Sequence, residues 1–217
     1  MLGPDLGSMH RQTMSGLREQ QKTARRQAIG EAAVGLFARQ GYQATTIEQI
    51  AKAAGVSAPT VFAYFNSKQE IVLETLRESD ARAMVATRQR IGRLDDPVEA
   101  LCQLERQVVE HAFSMLPAAL WRELLPQIIG QPGGGLPAAY RKVNALLVQE
   151  IARVLNDFKH RGLLRADLDV DYVAFLINDY GHLQFLRLAG QDQPDFAGHA
   201  LQVRQMIELL LRGMVAR

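Results

Sequence analysis

Residues 46–65 read TIEQIAKAAGVSAPTVFAYF, and this stretch decides the fold. Thr46-Ile47-Glu48-Gln49 has the form of a capping box. The Thr46 hydroxyl accepts from the Gln49 backbone N–H, and the Gln49 amide reaches back to the Thr46 N–H. That predicts a short helix to about Ala54, with Ile50 and Ala51 facing inward. Gly55 breaks it. Ser57 caps a second short helix over 57–65, with Ala58 and Pro59 in a first turn where proline's missing N–H does no harm. Val61, Phe62 and Phe65 are its apolar positions, and their helical spacing reads Phe62 as a core residue. Helices that cross steeply need a small side chain at the contact, which Ala51 provides. The turn needs a residue that tolerates positive φ, which Gly55 provides. Together these features make a helix-turn-helix.

In such a unit the second helix enters the DNA major groove N-terminus first. The free N–H groups at both helix starts, at Thr46 and Ser57, suit phosphate oxygens. Lys68 is expected to add a phosphate contact. An ordinary helical corner would show the same caps, so charge has to separate the two readings. The whole chain is almost balanced, with 25 Lys and Arg against 23 Asp and Glu over 217 residues. Residues 11–68, however, hold eight basic side chains and three acidic ones, whereas 69–217 hold 17 and 19. A basic front on a faintly acidic body points to a polyanion partner for the first third alone.

Working outward, residues 1–17 show no sustained period and several breakers, which reads as a mobile N-terminal arm. A helical period starts at Lys22, with Ala28, Ile29, Ala32, Ala33, Leu36 and Phe37 on one face and Gly41 at its end. Ser67-Lys68-Gln69-Glu70 is a second capping box and opens a long helix to about Ile91. Asp96-Pro97-Val98-Glu99 starts the next, to about Leu116. Further helices are expected over Pro117–Ile129, Leu136–Arg161, from the Asp169 cap to Ala189, and over Asp195–Ala216. Gln131–Gly135, with its three consecutive glycines, is the strongest linker in the chain. No segment alternates with period two. The fold class is therefore all-α with about nine helices: a helix-turn-helix domain at 18–68 and a second helical domain at 69–217.

Composition removes several function classes. A single cysteine, Cys102, excludes an intramolecular disulfide and a Cys-based zinc site. Residues 1–22 have no apolar signal core and no run is long enough for a membrane span, so a cytoplasmic location is expected. Gly133-Gly134-Gly135 lacks the Lys-Ser/Thr of a phosphate loop. Asp157-x-x-His160 and Asp179-x-x-His182 each put an acid and an imidazole on one helical face, the spacing of helical metal enzymes, but the inward glutamates of such sites are missing. No catalytic residue, metal site or cofactor is expected.

The second domain offers a sensor instead: an apolar site with a few polar anchors. Its candidate residues are His111, Phe113, Met115, Trp121, Leu124, Leu125, Ile128, Tyr140, Phe175, Asn178, Asp179, His182 and Phe185. The ligand-binding set proper is His111, Met115, Trp121, Leu125, Phe175, Asn178, Asp179 and His182. Asn178, Asp179 and His182 sit among Phe175, Leu176, Leu183 and Leu186, so they are either ligand anchors or a polar seam between subunits. In the last helix Leu201, Met206, Ile207, Leu210, Leu211 and Met214 cover more than one stripe, which suits burial on two sides.

The stretch Arg25–Glu74 resembles the N-terminal domain of the tetracycline-repressor (TetR) family of transcriptional regulators. The matching residues are Ala32-Ala33-x-x-Leu36-Phe37-Ala38-x-x-Gly41-Tyr42, Thr45-Thr46, Ile50-Ala51-x-x-Ala54-Gly55-Val56-Ser57, Thr60-Val61-Phe62-x-Tyr64-Phe65 and Lys68. The resemblance implies a homodimer on palindromic operator DNA, released by a small effector held in the second domain. It also implies that Thr46 contacts phosphate, that Ala58, Pro59 and Thr60 face the bases, and that Phe62, Tyr64 and Lys68 lie near the DNA backbone. Lys22, Arg25 and Ser57 complete the expected DNA-binding set, with Arg11, Arg18 and Arg26 on the same basic arm. Three departures bear on the operator. Phe62 stands where tyrosine is common and lacks its hydroxyl. Ala58 can neither donate nor accept, and with Pro59 it suits apolar contact with thymine methyls. Glu48 replaces a frequent arginine. A regulator that needs no ligand would share this front end but have a filled second domain.

Overall fold

The computed structural model describes the backbone of residues 6–129 and 137–213; the side chains of 6–15 and of Ile129 lie outside it. Among these residues there are nine helices and no strand. They are α1 (Leu6–Gln40), α2 (Ile47–Ala53), α3 (Ala58–Tyr64), α4 (Lys68–Ile91), α5 (Pro97–Met115), α6 (Ala118–Ile129), α7 (Ala138–His160), α8 (Val170–Ala189) and α9 (Phe196–Arg212). The chain divides into two compact units, Met1–Thr75 and Leu76–Arg217, with the division inside α4. The expected boundary at 68/69 lies seven residues earlier, because the first turns of α4 pack into the first unit.

The first unit is built on α1, which starts well upstream of the Lys22 period. Residues 6–17 are helical, where the sequence reading expected an irregular arm; once a helix is nucleated, each added turn needs only its own backbone bonds. Residues 1–5 lie outside the described part. Ile29, Ala33 and Phe37 of α1, Ile50 and Ala51 of α2, Val61 of α3, Phe65, and Ile71 and Val72 of α4 are all buried, and α2 packs on both α1 and α3. Gly30 is required by close approach: a Cβ there would overlap the Thr75 side chain on α4.

The α2–α3 turn forms as its residues dictate. Both halves of the Thr46 capping box are made, with Gln49 N–H donating to Thr46 Oγ1 at 3.2 Å and Thr46 N–H to Gln49 Oε1 at 2.9 Å. Gly55 adopts φ +68°. Its N–H donates to the Lys52 carbonyl at 3.3 Å and the Val56 N–H to the Ala51 carbonyl at 2.9 Å, a Schellman ending for α2. The second expected capping box is only half formed. Ser67 accepts from the Glu70 N–H at 3.1 Å, but the Glu70 carboxylate reaches past it to the N–H and side-chain amide of Asn66, both at 2.8 Å.

In the second unit α7 packs on α8, α5 on α7 and α9, α8 on α9 and α6 on α8. The shared core includes Leu101, Leu104, Val154, Leu155, Phe158, Ala174, Ile177, Val203 and Ile207, with Met84 and Ile91 of α4. Glu150 is buried in this unit and held by Arg88 and Arg153. Burial pushes its carboxyl up, but the hydrogen bonds from the two guanidinium groups prevail and hold it below the usual carboxylate range. The Asp96, Asp169 and Asp195 caps all form. The expected linker Gln131–Gly135, residue Leu136 and Met214 lie outside the described residues. No helix among those described is long and apolar enough to cross a membrane.

Gly55→Ala isolates the cost of the turn, since open space surrounds the position and only the positive φ opposes a side chain. The substitution is expected to lower stability by about 1–2 kcal/mol. Gly55→Asn should recover part of that loss in urea unfolding followed by circular dichroism.

Candidate nucleic-acid interface and effector-site residues

The outer face of α3 is set by what its inner face does. Val61 and Phe65 are buried in the core of the first unit, which turns Pro59, Phe62 and Ala63 outward. Phe62 is 54% exposed, so the expectation of a core residue is corrected. Phe62 follows Val61 directly and so lies about 100° further round α3, off the buried face that Val61 occupies as expected. Ala58, Thr60 and Tyr64 are half-buried. Ser57 accepts from the Thr60 N–H at 3.3 Å, and the two hydroxyls bond to each other at 2.8 Å. At most one hydroxyl hydrogen of this pair is left for DNA. Thr46 and Glu48 stand exposed at the start of α2. The Glu48 carboxyl is held below its ordinary range by its own backbone N–H and by the Thr46 hydroxyl.

The basic residues divide into two groups. Lys22, Arg25, Arg39 and Lys52 are exposed. Lys68 and Arg26 are occupied by the fold. Lys68 Nζ donates to the Tyr42 and Thr45 carbonyls, both at 2.8 Å, and to the Gln43 carbonyl at 3.5 Å, and it lies 4.6 Å over the Tyr42 ring. Three backbone carbonyls in the loop before α2 thus accept from the Lys68 ammonium, which gives this lysine a structural role. Arg26 pairs with Glu74 at 3.3 Å, donates to the Tyr64 carbonyl at 3.3 Å and lies 4.5 Å over the Phe65 ring. Arg18 is exposed, and the side chain of Arg11 lies outside the described residues.

The expected effector residues fall into separate groups. Trp121 is buried, and its indole N–H donates to the Ala112 carbonyl at 3.2 Å, so it has no donor for a ligand. It leads an aromatic chain: Trp121 to Phe185 at 5.0 Å, Phe185 to Phe113 at 5.4 Å, Phe113 to Phe196 at 5.2 Å. Leu124, Leu125 and Ile128 are buried and Met115 half-buried. A polar line joins α7 and α8. The Asn178 amide donates to Asn144 Oδ1 at 2.5 Å and lies 3.4 Å from His182 Nδ1, and the His182 ring lies 5.5 Å from Tyr140. Burial lowers the His182 pKa against the opposing charge of Asp179, and burial, aided by Asp179, pushes Tyr140 up to about 12. Phe175 and Asp179 are exposed, beside Tyr172 and Leu183 on the outer face of α8, and do not belong with the buried candidates. They lie opposite Ala174 and Ile177, which take the core-facing side of that helix.

His111 shares a 2.9 Å hydrogen bond with Ser79 and stands 3.7 Å from Asp80, two α4 residues absent from the sequence reading. Asp80 is 2% exposed, and its Oδ1 has no hydrogen-bond partner among the described residues. Burial pushes its carboxyl up to about 7, and it lowers the His111 pKa, with Arg82 adding to the effect. The signal was present in the sequence. Leu73, Leu76, Asp80, Met84, Thr87 and Ile91 are one buried stripe at helical spacing, and an acid in such a stripe marks a special site. Among the described residues no group of three or more His, Cys, Asp or Glu side chains is placed to hold a metal ion. Asp157 pairs with Arg161 at 3.5 Å instead of sharing a site with His160.

The family profile described as "Bacterial regulatory proteins, tetR family" matches residues 29–75. The crystal structure of Thermus thermophilus FadR, a TetR-family transcriptional repressor in complex with lauroyl-CoA, is 30% identical, covers 88% of this chain and 96% of its own, and superposes with TM-score 0.69. The chain belongs to the TetR family. The HTH-type transcriptional repressor KstR2 of Mycobacterium tuberculosis is 28% identical over 162 residues, 73% of this chain and 78% of its own length. The HTH-type transcriptional regulator HbdR of Aromatoleum sp. reaches 44% identity over 79 residues, 36% of this chain and 34% of its own. This TetR-family chain is thus a DNA-binding transcriptional regulator and not an enzyme.

Three predictions follow from the geometry. Lys68→Ala is expected to lower stability by about 1–3 kcal/mol through loss of charged hydrogen bonds, with the salt dependence of DNA binding unchanged. Arg25→Ala should do the reverse, lowering the slope of log affinity against log salt by about one unit at constant melting temperature. For Asp80, the folded state binds more protons than the unfolded state between the ordinary carboxylate range and about pH 7. Its contribution to stability is therefore greatest at low pH and falls as pH rises through that window. Asp80→Asn should remove this fall, and denaturant midpoints measured from pH 4 to pH 8 should be flatter in the variant than in the parent.

Proposed function

We propose that this regulator is a homodimeric repressor, released from a palindromic operator by a thioester of coenzyme A with a long acyl chain. Residues 18–68 serve as the DNA-binding domain and 69–217 as the effector-binding and dimerisation domain. The observation that carries the reading is the likeness to T. thermophilus FadR, a repressor in complex with lauroyl-CoA, which extends over 96% of that chain. The second unit supplies suitable chemistry. The aromatic chain from Trp121 to Phe196 and the buried Leu124 and Ile128 suit an acyl tail, while Asn178, His182 and Tyr140 offer a few polar groups.

Dimerisation fits the outer faces of the last two helices. Tyr172, Phe175 and Leu183 on α8 and Leu201, Leu209 and Leu210 on α9 are all exposed, although both helices also contribute to the core. A second copy of the same two helices would cover them as a four-helix interface. A dimer that places two recognition helices about 34–36 Å apart reads adjacent major grooves on one side of the duplex. An effector shifts this equilibrium only if it binds the DNA-free state more tightly.

The test is fluorescence anisotropy on the operator from the intergenic DNA beside the gene. Lauroyl-CoA at micromolar concentration is expected to release the protein, with free CoA and lauric acid much weaker. If no acyl-CoA changes operator affinity or melting temperature, the effector reading fails and a ligand-independent regulator takes its place.

A further inference from the structure

We infer that α3 reads its operator through the 5-methyl groups of pyrimidines, so that binding responds to DNA methylation. The inference rests on the DNA-binding reading of the first unit. The outward residues of α3 are Pro59, Phe62 and Ala63, with Ala58 at their edge, and no side chain among these four can donate or accept a hydrogen bond. The nearest hydroxyls, Ser57 and Thr60, are engaged with each other at 2.8 Å. A recognition helix normally tells base pairs apart by donor and acceptor patterns in the major groove. This one has no bidentate side chain with which to do so.

It presents a phenyl ring that is 54% exposed, in a unit whose core is otherwise closed around Phe37 and Phe65. The occupant of that face is duplex DNA, argued from charge complementarity. Lys22, Arg25, Arg39 and Lys52 leave exposed cations on the same unit, whereas Lys68 and Arg26 are tied into the fold. The apolar feature of the major groove is the thymine methyl group. Thymine and 5-methylcytosine carry that methyl at the same ring position and differ at the neighbouring one, where thymine has an acceptor and cytosine a donor. A face without hydrogen-bonding side chains detects the methyl and tolerates the change beside it. Methylation of cytosine at a contacted position therefore imitates thymine.

The experiment selects high-affinity duplexes from a random pool with the full-length protein. It then measures Kd for the selected site with each thymine changed in turn to deoxyuridine, to cytosine paired with guanine, and to 5-methylcytosine paired with guanine. At one or two positions per half-site, loss of the methyl is expected to weaken binding by about fourfold, the worth of one buried methyl-sized group. At those positions 5-methylcytosine should bind better than cytosine by a similar factor. Phe62→Ala should reduce both differences, and because Phe62 lies outside the core its melting temperature should match the parent's. Equal binding of thymine and deoxyuridine sites, with no gain from 5-methylcytosine, overturns the methyl reading and leaves the regulator intact. Failure of the pool to yield any preferred sequence overturns both. If Phe62→Ala disrupts dimerisation and leaves the methyl differences unchanged, the exposed ring belongs to a protein contact and the inference falls.

Discussion

A buried carboxylate has to be paired, and in the first unit that requirement organises everything around it. Glu74 is 2% exposed on α4, and Arg26 of α1 is its partner. The same guanidinium donates to the Tyr64 carbonyl at the end of α3 and lies over the Phe65 ring. One side chain thus ties α1, α3 and α4 together. With the end of α3 held at Tyr64 and Phe65, the rotation of that helix is set. Val61 turns inward, and Pro59, Phe62 and Ala63 become the outward face of α3.

Lys68 does comparable work on the opposite corner. Its ammonium satisfies three backbone carbonyls in the loop between α1 and α2. The basic excess of residues 11–68 is therefore not one electrostatic surface. Part of it is internal structure, and the remainder, carried by residues such as Lys22, Arg25 and Lys52, stands exposed to solvent. Counting charges in the sequence cannot separate these roles, because a lysine whose ammonium is saturated by carbonyls contributes the same formal charge as one in solvent.

Much of the fold was legible because its signals are local. The Thr46, Ser57, Asp96 and Asp169 caps, the proline at the start of α5 and the glycine of the α2–α3 turn each act over about one helical turn, and each forms as read. The candidate sites were less legible because a helix has more than one apolar side. In α8, Phe175 and Ala174 are adjacent in sequence and opposite in burial, so composition alone placed Phe175 with the sensor. Asp80 was overlooked for a related reason. Its significance lies in the buried stripe it interrupts and in His111 on α5, which is far from it in sequence.

The sequence by itself determined the helical class, the helix-turn-helix and the asymmetry of charge, since propensity, capping and turn chemistry depend on near neighbours. The tertiary structure decided which residues of each helix face outward and which cations are free. Those outcomes depend on contacts between residues distant in the chain: Arg26 with Glu74, Lys68 with the Tyr42 loop, His111 with Ser79 and Asp80. A local pattern specifies that a helix forms. Only the partners packed against that helix specify how it is rotated, and for α3 the rotation selects which side chains stand on the surface.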